Sequence, residues 1–285
     1  MKRIKRILLC IICSLLLTGC SLLEDSSMND IKVYTTIYPY NYLMNYLYGN
    51  NSEVNSIYPN GVNLEKYKLS DKKINEYSKN DLFVFSSLDE KEREIAAKMV
   101  NSNKDLKLID VSMGMSINNN IEELWLNPYN YLMMAKNVKD GLNEYIDNKL
   151  LNDSINKSYE ELQYEISNLD ASIKEMISNA NYDTIITTNN SLKFLEKYGL
   201  NVISIEDNNN IDEAKKLIID GKIKYLYTLN PEDNEEINNF TTNNNLELIR
   251  INSLNSIDGL IETSNDNYFS IMTENIELIN KELEK

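Results

Sequence analysis

The sequence predicts an α/β fold of two lobes, each a small parallel sheet flanked by helices, joined by one long rigid helix. Three features of the 285-residue chain point to it. Short apolar runs alternate with amphipathic segments, the pattern of strand and crossover helix. That alternation occurs twice, once in each half. Between the halves, Ile155, Tyr159, Leu162, Ile166, Leu169, Ile173 and Ile177 recur at spacings of three and four. They line one face of a helix about 35 Å long at 1.5 Å per residue, enough to cross both lobes. A dimerising coiled-coil seam is the alternative that the same spacing allows.

In the first half, residues 31–37 (IKVYTTI) form a strand, followed by a helix that Pro39 starts, with Tyr42, Leu43, Tyr46 and Leu47 on one face. A strand over 54–58 leads into the Pro59-Asn60-Gly61 turn and a short helix. Within residues 81–86 (DLFVFS), Leu82-Phe83-Val84-Phe85 is a continuous apolar run, as a strand buried on both faces requires. A helix over 90–101 and a strand over 106–111 follow. Asn127 and Pro128 mark a helix start, with Asn127 as N-cap. The second half gives strands at 184–188, 201–205, 224–228 and 246–251. Helices ending near Tyr198, starting at Asp212 and ending near Thr242 separate them, and a last helix begins near Asn267.

The first twenty residues carry an address. Lys2, Arg3, Lys5 and Arg6 precede an apolar stretch over 7–17, shorter than the roughly 20 residues of a spanning helix. Leu17-Thr18-Gly19-Cys20 then has the form of a bacterial lipoprotein cleavage site, with Cys20 as the lipidated residue. The expected organisation is a signal peptide over 1–19, a lipid-anchored tether over 20–30, an N-terminal lobe over 31–148, the linking helix over 149–178 and a C-terminal lobe over 179–285. Cys10 and Cys13 lie in the leader, so no disulfide is expected after cleavage. Acyl chains contribute about 0.8 kcal/mol per buried methylene, so such an anchor holds a domain on the extracytoplasmic membrane face.

Loss of the leader lowers the 29 basic residues to 25 against 44 acidic ones, a formal charge of −19. No basic patch marks a nucleic-acid footprint. With no histidine in the chain, general acid–base work would fall to carboxylates, Lys or Tyr. No paired-carboxylate spacing, phosphate-binding glycine loop or nucleophile elbow is present, so an enzyme is not expected.

The chain resembles the substrate-binding lipoproteins of zinc and manganese ABC transporters from about Lys32 to Lys285. The segments that carry the resemblance are Val33-Tyr34-Thr35-Thr36-Ile37-Tyr38-Pro39, Pro59-Asn60-Gly61-Val62, Tyr67 with Ser70, Lys72 and Ile74, Asp81-Leu82-Phe83-Val84, Trp125-Leu126-Asn127-Pro128, Lys197-Tyr198-Gly199-Leu200 and Tyr268-Phe269-Ser270-Ile271-Met272. The resemblance implies a metal held between two lobes, a permease and ATPase as partners, and a monomeric binding protein. It places four ligand positions, three of which are histidines in the family. The pattern PxGxxPHxYxPS falls on 59–70 and puts Glu65 at the first. PHxWLDP falls on 122–128 and puts Glu123 at the second. The third falls on Asn189, and the family's carboxylate falls on Leu229, which cannot ligate.

A conventional histidine-based zinc site is therefore not expected. Glu65, Glu123 and Asn189 offer oxygen donors of the kind that suit Mn²⁺, Ca²⁺ or Mg²⁺, with waters, Asp207 or backbone carbonyls needed to complete a shell. Tyr38, Tyr40, Tyr67, Tyr129 and Tyr131 either wall a cleft for an organic ligand or pack the core. Trp125 is expected as a structural plug beneath the cleft. Three functions stay open on this scaffold: transporter substrate binding at a diverged site, a non-transport adhesion or interaction role, and binding of a larger organic or chelated-metal ligand.

Overall fold

A computed structural model describes residues 28–59, 62, 64, 66–229, 234–255 and 267–284. The leader, Cys20, the tether up to residue 27 and Glu65 lie outside the described residues.

The first sheet comprises β1 (Ile31–Thr35), β2 (Ser52–Ser56), β3 (Leu82–Phe85) and β4 (Lys107–Asp110), all parallel in the order β2-β1-β3-β4. The second repeats that order with β5 (Thr184–Thr187), β6 (Asn201–Ser204), β7 (Tyr225–Leu229) and β8 (Glu247–Ile251), as β6-β5-β7-β8. Every residue of β3 and β5 is buried, which explains the unbroken apolar run of β3 and the Ile185-Ile186 centre of β5. β2 lies two residues before its expected position, because its polar edge-strand sequence SEVNS has no apolar run to mark it.

In the first half, α1 (Tyr38–Tyr48), α2 (Asp71–Tyr77) and α3 (Glu90–Ser102) connect the strands. α1 has proline in its first turn and buries Tyr40, Leu43, Met44 and Leu47. A four-residue turn, α4 (Glu123–Leu126), precedes α5 (Pro128–Tyr145), where the Asn127 side chain accepts from the Tyr129 N–H as N-cap. The long helix α6 (Lys149–Ser178) starts at an Asn148 cap and spans 30 residues. Ile155, Leu162, Ile166, Leu169 and Ile173 are buried along it, joined by Met176, while Tyr159 and Ile177 are half-buried. The second half contains α7 (Ile211–Ile219), α8 (Glu235–Asn243) and α9 (Tyr268–Leu283), the last opened by a reciprocal Asn267–Ser270 capping box. Residues 190–198 form the expected helix ending at Tyr198, in 3-10 form. Gly199 ends it in the left-handed region at φ 101°, where a side chain would be strained.

One apolar core runs through both lobes. Val33, Leu82 and Ile109 of the first sheet, Ile185, Tyr227 and Ile251 of the second, and the buried face of α6 belong to the same cluster. Smaller clusters around Phe83 and Met99, and around Ile203 and Leu226, close the outer faces. The buried Glu282 carboxylate accepts from the backbone N–H groups of Lys224 and Tyr225, tying α9 to the start of β7.

Gly141 is where α5 approaches β4. A Cβ there would lie 2.7 Å from Ile109 Cγ1. Gly141→Ala gains about 1 kcal/mol of helix propensity. Overpacking against the buried Ile109 costs about 1–3 kcal/mol and outweighs it, because the contact reaches the stem of a side chain fixed in a strand. The melting temperature should fall by a few degrees in a thermal scan.

Candidate functional site

The residues flanking α4 form a seam with the second lobe. Glu123 is buried on this turn. Its Oε2 accepts from Asn119 Nδ2 at 3.0 Å, and its Oε1 lies 3.9 Å from Lys197 Nζ on the 3-10 helix. One residue earlier, Glu122 Oε2 accepts from Ser191 Oγ at 3.3 Å. The Ser191 N–H in turn donates to Asn189 Oδ1 at 3.0 Å. Asn189 thus serves as N-cap of the 3-10 helix, and its amide oxygen is aimed at the backbone.

Trp125 completes the seam. Its Nε1–H donates to the Ser253 carbonyl at 2.7 Å, while the Tyr268 hydroxyl donates to the Trp125 carbonyl at 2.6 Å. A turn too short to stand alone is therefore tied to the opposite lobe at Glu122, Glu123 and Trp125. The loop that receives Trp125 is itself constrained. Leu254 is held at φ 61° with its side chain buried, and Asn275 bonds both the N–H and the carbonyl of Asn252.

The remaining expected positions diverge. Leu229 closes β7, paired with Ile251, instead of following the strand, and its side chain is buried in the core. Nothing in the YLYTL run interrupts strand periodicity before it. At the end of the same strand the Thr188 hydroxyl donates to the Thr228 hydroxyl at 3.0 Å. Asp207 accepts from the Asn209 N–H as a cap on an exposed turn. Among the described residues, no three His, Cys, Asp or Glu side chains are grouped to hold a metal ion.

The tyrosines divide between core and surface. Tyr40 and Tyr131 are fully buried, and Tyr131 stacks on Tyr268 with ring centroids 3.9 Å apart while donating to the Pro39 carbonyl. Tyr40 meets the Trp125 ring edge-on at 6.3 Å. Tyr129 is exposed, and Tyr67 packs edge-on against Tyr58. The cavity lined by Leu126, Ile173, Leu192 and Met272 beneath the seam has a volume of about 10 Å³, at the threshold for one water and far too small for an organic ligand. Burial in aromatic surroundings pushes the Tyr131 and Tyr268 phenols well above their ordinary range.

The sequence does not single out Asn119, Glu122, Ser191 or Lys197 as partners in this seam. Lys197 sits in the Lys-Tyr-Gly-Leu segment, yet its pairing with Glu123 depends on the docking of the two lobes, which no local pattern encodes.

The family of the zinc-uptake complex component A, periplasmic (ZnuA), matches residues 33–282. The chain belongs to the ZnuA family. Among relatives, it is 21% identical over 310 residues to the zinc-binding lipoprotein AdcA of Streptococcus pneumoniae, covering 98% of this chain and 60% of AdcA. The chain thus spans about 60% of the length of that relative. The crystal structure of the Zn(II)-bound ZnuA-like domain of S. pneumoniae AdcA superposes with a TM-score of 0.73 at 19% identity, covering 90% of this chain and all of that domain. The metal-dependent lipoprotein YcdH of Bacillus subtilis gives 0.73 at 17% identity, covering 89% and 99%. These likenesses establish the ZnuA-like two-lobe fold, with a parallel four-stranded sheet in each lobe. Among the described residues, no helix is long and apolar enough to cross a membrane.

Proposed function

We propose that this ZnuA-family chain is an extracytoplasmic substrate-binding lipoprotein of a metal-type ABC transporter, anchored through Cys20 and carrying a diverged inter-lobe site. Lobes over 31–148 and 179–285 flank the linking helix over 149–178, and a permease and ATPase are the partners. The reading is supported by the continuity of the family match over 33–282, which spans both sheets and the helix between them. Divergence is supported at three positions. Leu229 is apolar and buried, Asn189 caps a helix, and Glu123 is engaged by Lys197 and Asn119. The chain contains no imidazole, and the thiols precede or form the lipidation site, so the soft donors zinc favours are missing.

The experiment is equilibrium dialysis of the mature protein against zinc and against manganese, followed by elemental analysis. The expected result is no stoichiometric zinc at micromolar free metal. One equivalent of zinc retained under those conditions would overturn the divergence. Engagement of Glu123 within the chain also favours a second reading, an interaction lipoprotein that kept the scaffold without a transported ligand. Co-purification with a metal-type permease from detergent-solubilised membranes supports the transport reading, and its absence supports the second.

A further inference from the structure

We propose that Lys197 is a tethered cation that occupies the Glu123 carboxylate and excludes divalent metal from the seam between the lobes. The inference rests on the reading of Glu123 as the family's second ligand position. Glu123 has a side chain only 6% exposed and an Oε1 that lies 3.9 Å from the Lys197 ammonium. A carboxylate taken out of water needs a compensating charge or hydrogen bonds, and Asn119 supplies one amide donor. The positive charge comes from the second lobe, where relatives that bind a cation would receive it from solvent.

The exposures of the partners are unequal, and this gives the pair its function. The Lys197 side chain is 64% exposed, so its ammonium reaches the buried oxygen from the rim on a flexible stem. Such a group adds a full positive charge beside Glu123 without burying itself. A divalent ion approaching Glu123 would have to displace it or bear its repulsion. The oxygens of Glu122 and Asn189 are directed to Ser191 on the same 3-10 helix, so neighbouring donors are drawn into the seam as well. Lys197 is thus a residue that sets specificity: its charge keeps a divalent cation off the buried Glu123 carboxylate.

Lys197→Met tests this, because it keeps the apolar stem and removes the charge at a position whose side chain is mostly exposed. Melting temperatures of the mature wild type, Lys197→Met and the double variant Lys197→Met/Glu123→Gln are compared with and without about 1 mM MnCl₂, with NaCl matched for ionic strength. Manganese should raise the melting temperature of Lys197→Met by about 5 °C, the scale expected for a ligand near a hundred times its dissociation constant. Wild type and the double variant should move by less than about 1 °C on the same scale. No shift in Lys197→Met overturns the exclusion role and leaves the transporter assignment standing. An equal shift in wild type also overturns it, since the lysine then blocks nothing, while manganese binding would itself favour the transporter assignment. A shift that survives in the double variant places the metal away from Glu123 and overturns it too.

Discussion

Trp125→Ala is expected to lower the stability of the protein by about 3–5 kcal/mol, the range for truncating a large buried aromatic. The size follows from what the side chain does besides filling space. Its ring is 2% exposed, packs edge-on against Tyr40 in the first lobe, and sends its N–H to the Ser253 carbonyl in the second. Alanine also removes the hydrogen bond to that carbonyl, which adds to the cavity cost. The loop is also where Leu254 is held at positive φ, so the lost contact falls on a strained segment. Trp125→Phe separates the two terms: it fills most of the volume but cannot donate. Phenylalanine should recover more than half of the loss if packing dominates. Trp125 is the only tryptophan in the chain, so unfolding of these variants is followed by circular dichroism in urea. A loss below about 1 kcal/mol for alanine would show that the seam contributes little to holding the lobes together.

The two-lobe fold was legible because its signals are local. Leu82-Phe83-Val84-Phe85 and Thr184-Ile185-Ile186-Thr187 are buried throughout, so a continuous run of apolar or β-branched residues identifies them without knowledge of their neighbours. The face of α6 from Ile155 to Ile173 is legible for the same reason, since one helix covers one core and the period is uninterrupted. The candidate site was less so. α4 spans four residues, about one turn, and carries no period to detect. Leu229 is one more buried residue in a strand buried from Leu226 onward, so nothing distinguishes the last strand residue from the first loop residue. Family spacing could place Glu123 and Asn189, but what each bonds to is decided by the docking of α4 on the 3-10 helix. Their engagement by Lys197 and Ser191 is tertiary information and appears only when both lobes are assembled.

Glu92 has a role that the sequence gives no hint of, and it predicts a pH profile. It lies in the first turn of α3, nine-tenths or more buried, with Oε2 accepting from the Ser86 N–H at 2.6 Å. Ser86 passes a hydrogen bond on to Ser112, and Ser112 to Asp110. Burial pushes the Glu92 carboxyl up to about 8. The Ser86 N–H pulls it down, while Asp89 on its own helix cap and Asp110 on β4 push it further up. Tyr40 on α1 and Tyr58 beyond β2 also face it, and both phenols are raised in turn by burial and by its charge. The folded carboxyl keeps its proton to higher pH than the unfolded one, whose ordinary value is 4.5. Its contribution to stability is therefore fully present below about pH 4.5, falls as pH rises, and is lost once pH passes through about 8. Within that window the folding equilibrium should weaken by up to about tenfold per pH unit from this group alone. Glu92→Gln keeps an acceptor for the Ser86 N–H and cannot ionise. Its urea midpoint should gain steadily on wild type between about pH 5 and pH 8, while the other carboxylates, common to both proteins, cancel in the difference. Parallel profiles for the two proteins across that window would mean that Glu92 is charged in the folded state throughout, stabilised by the Ser86 N–H.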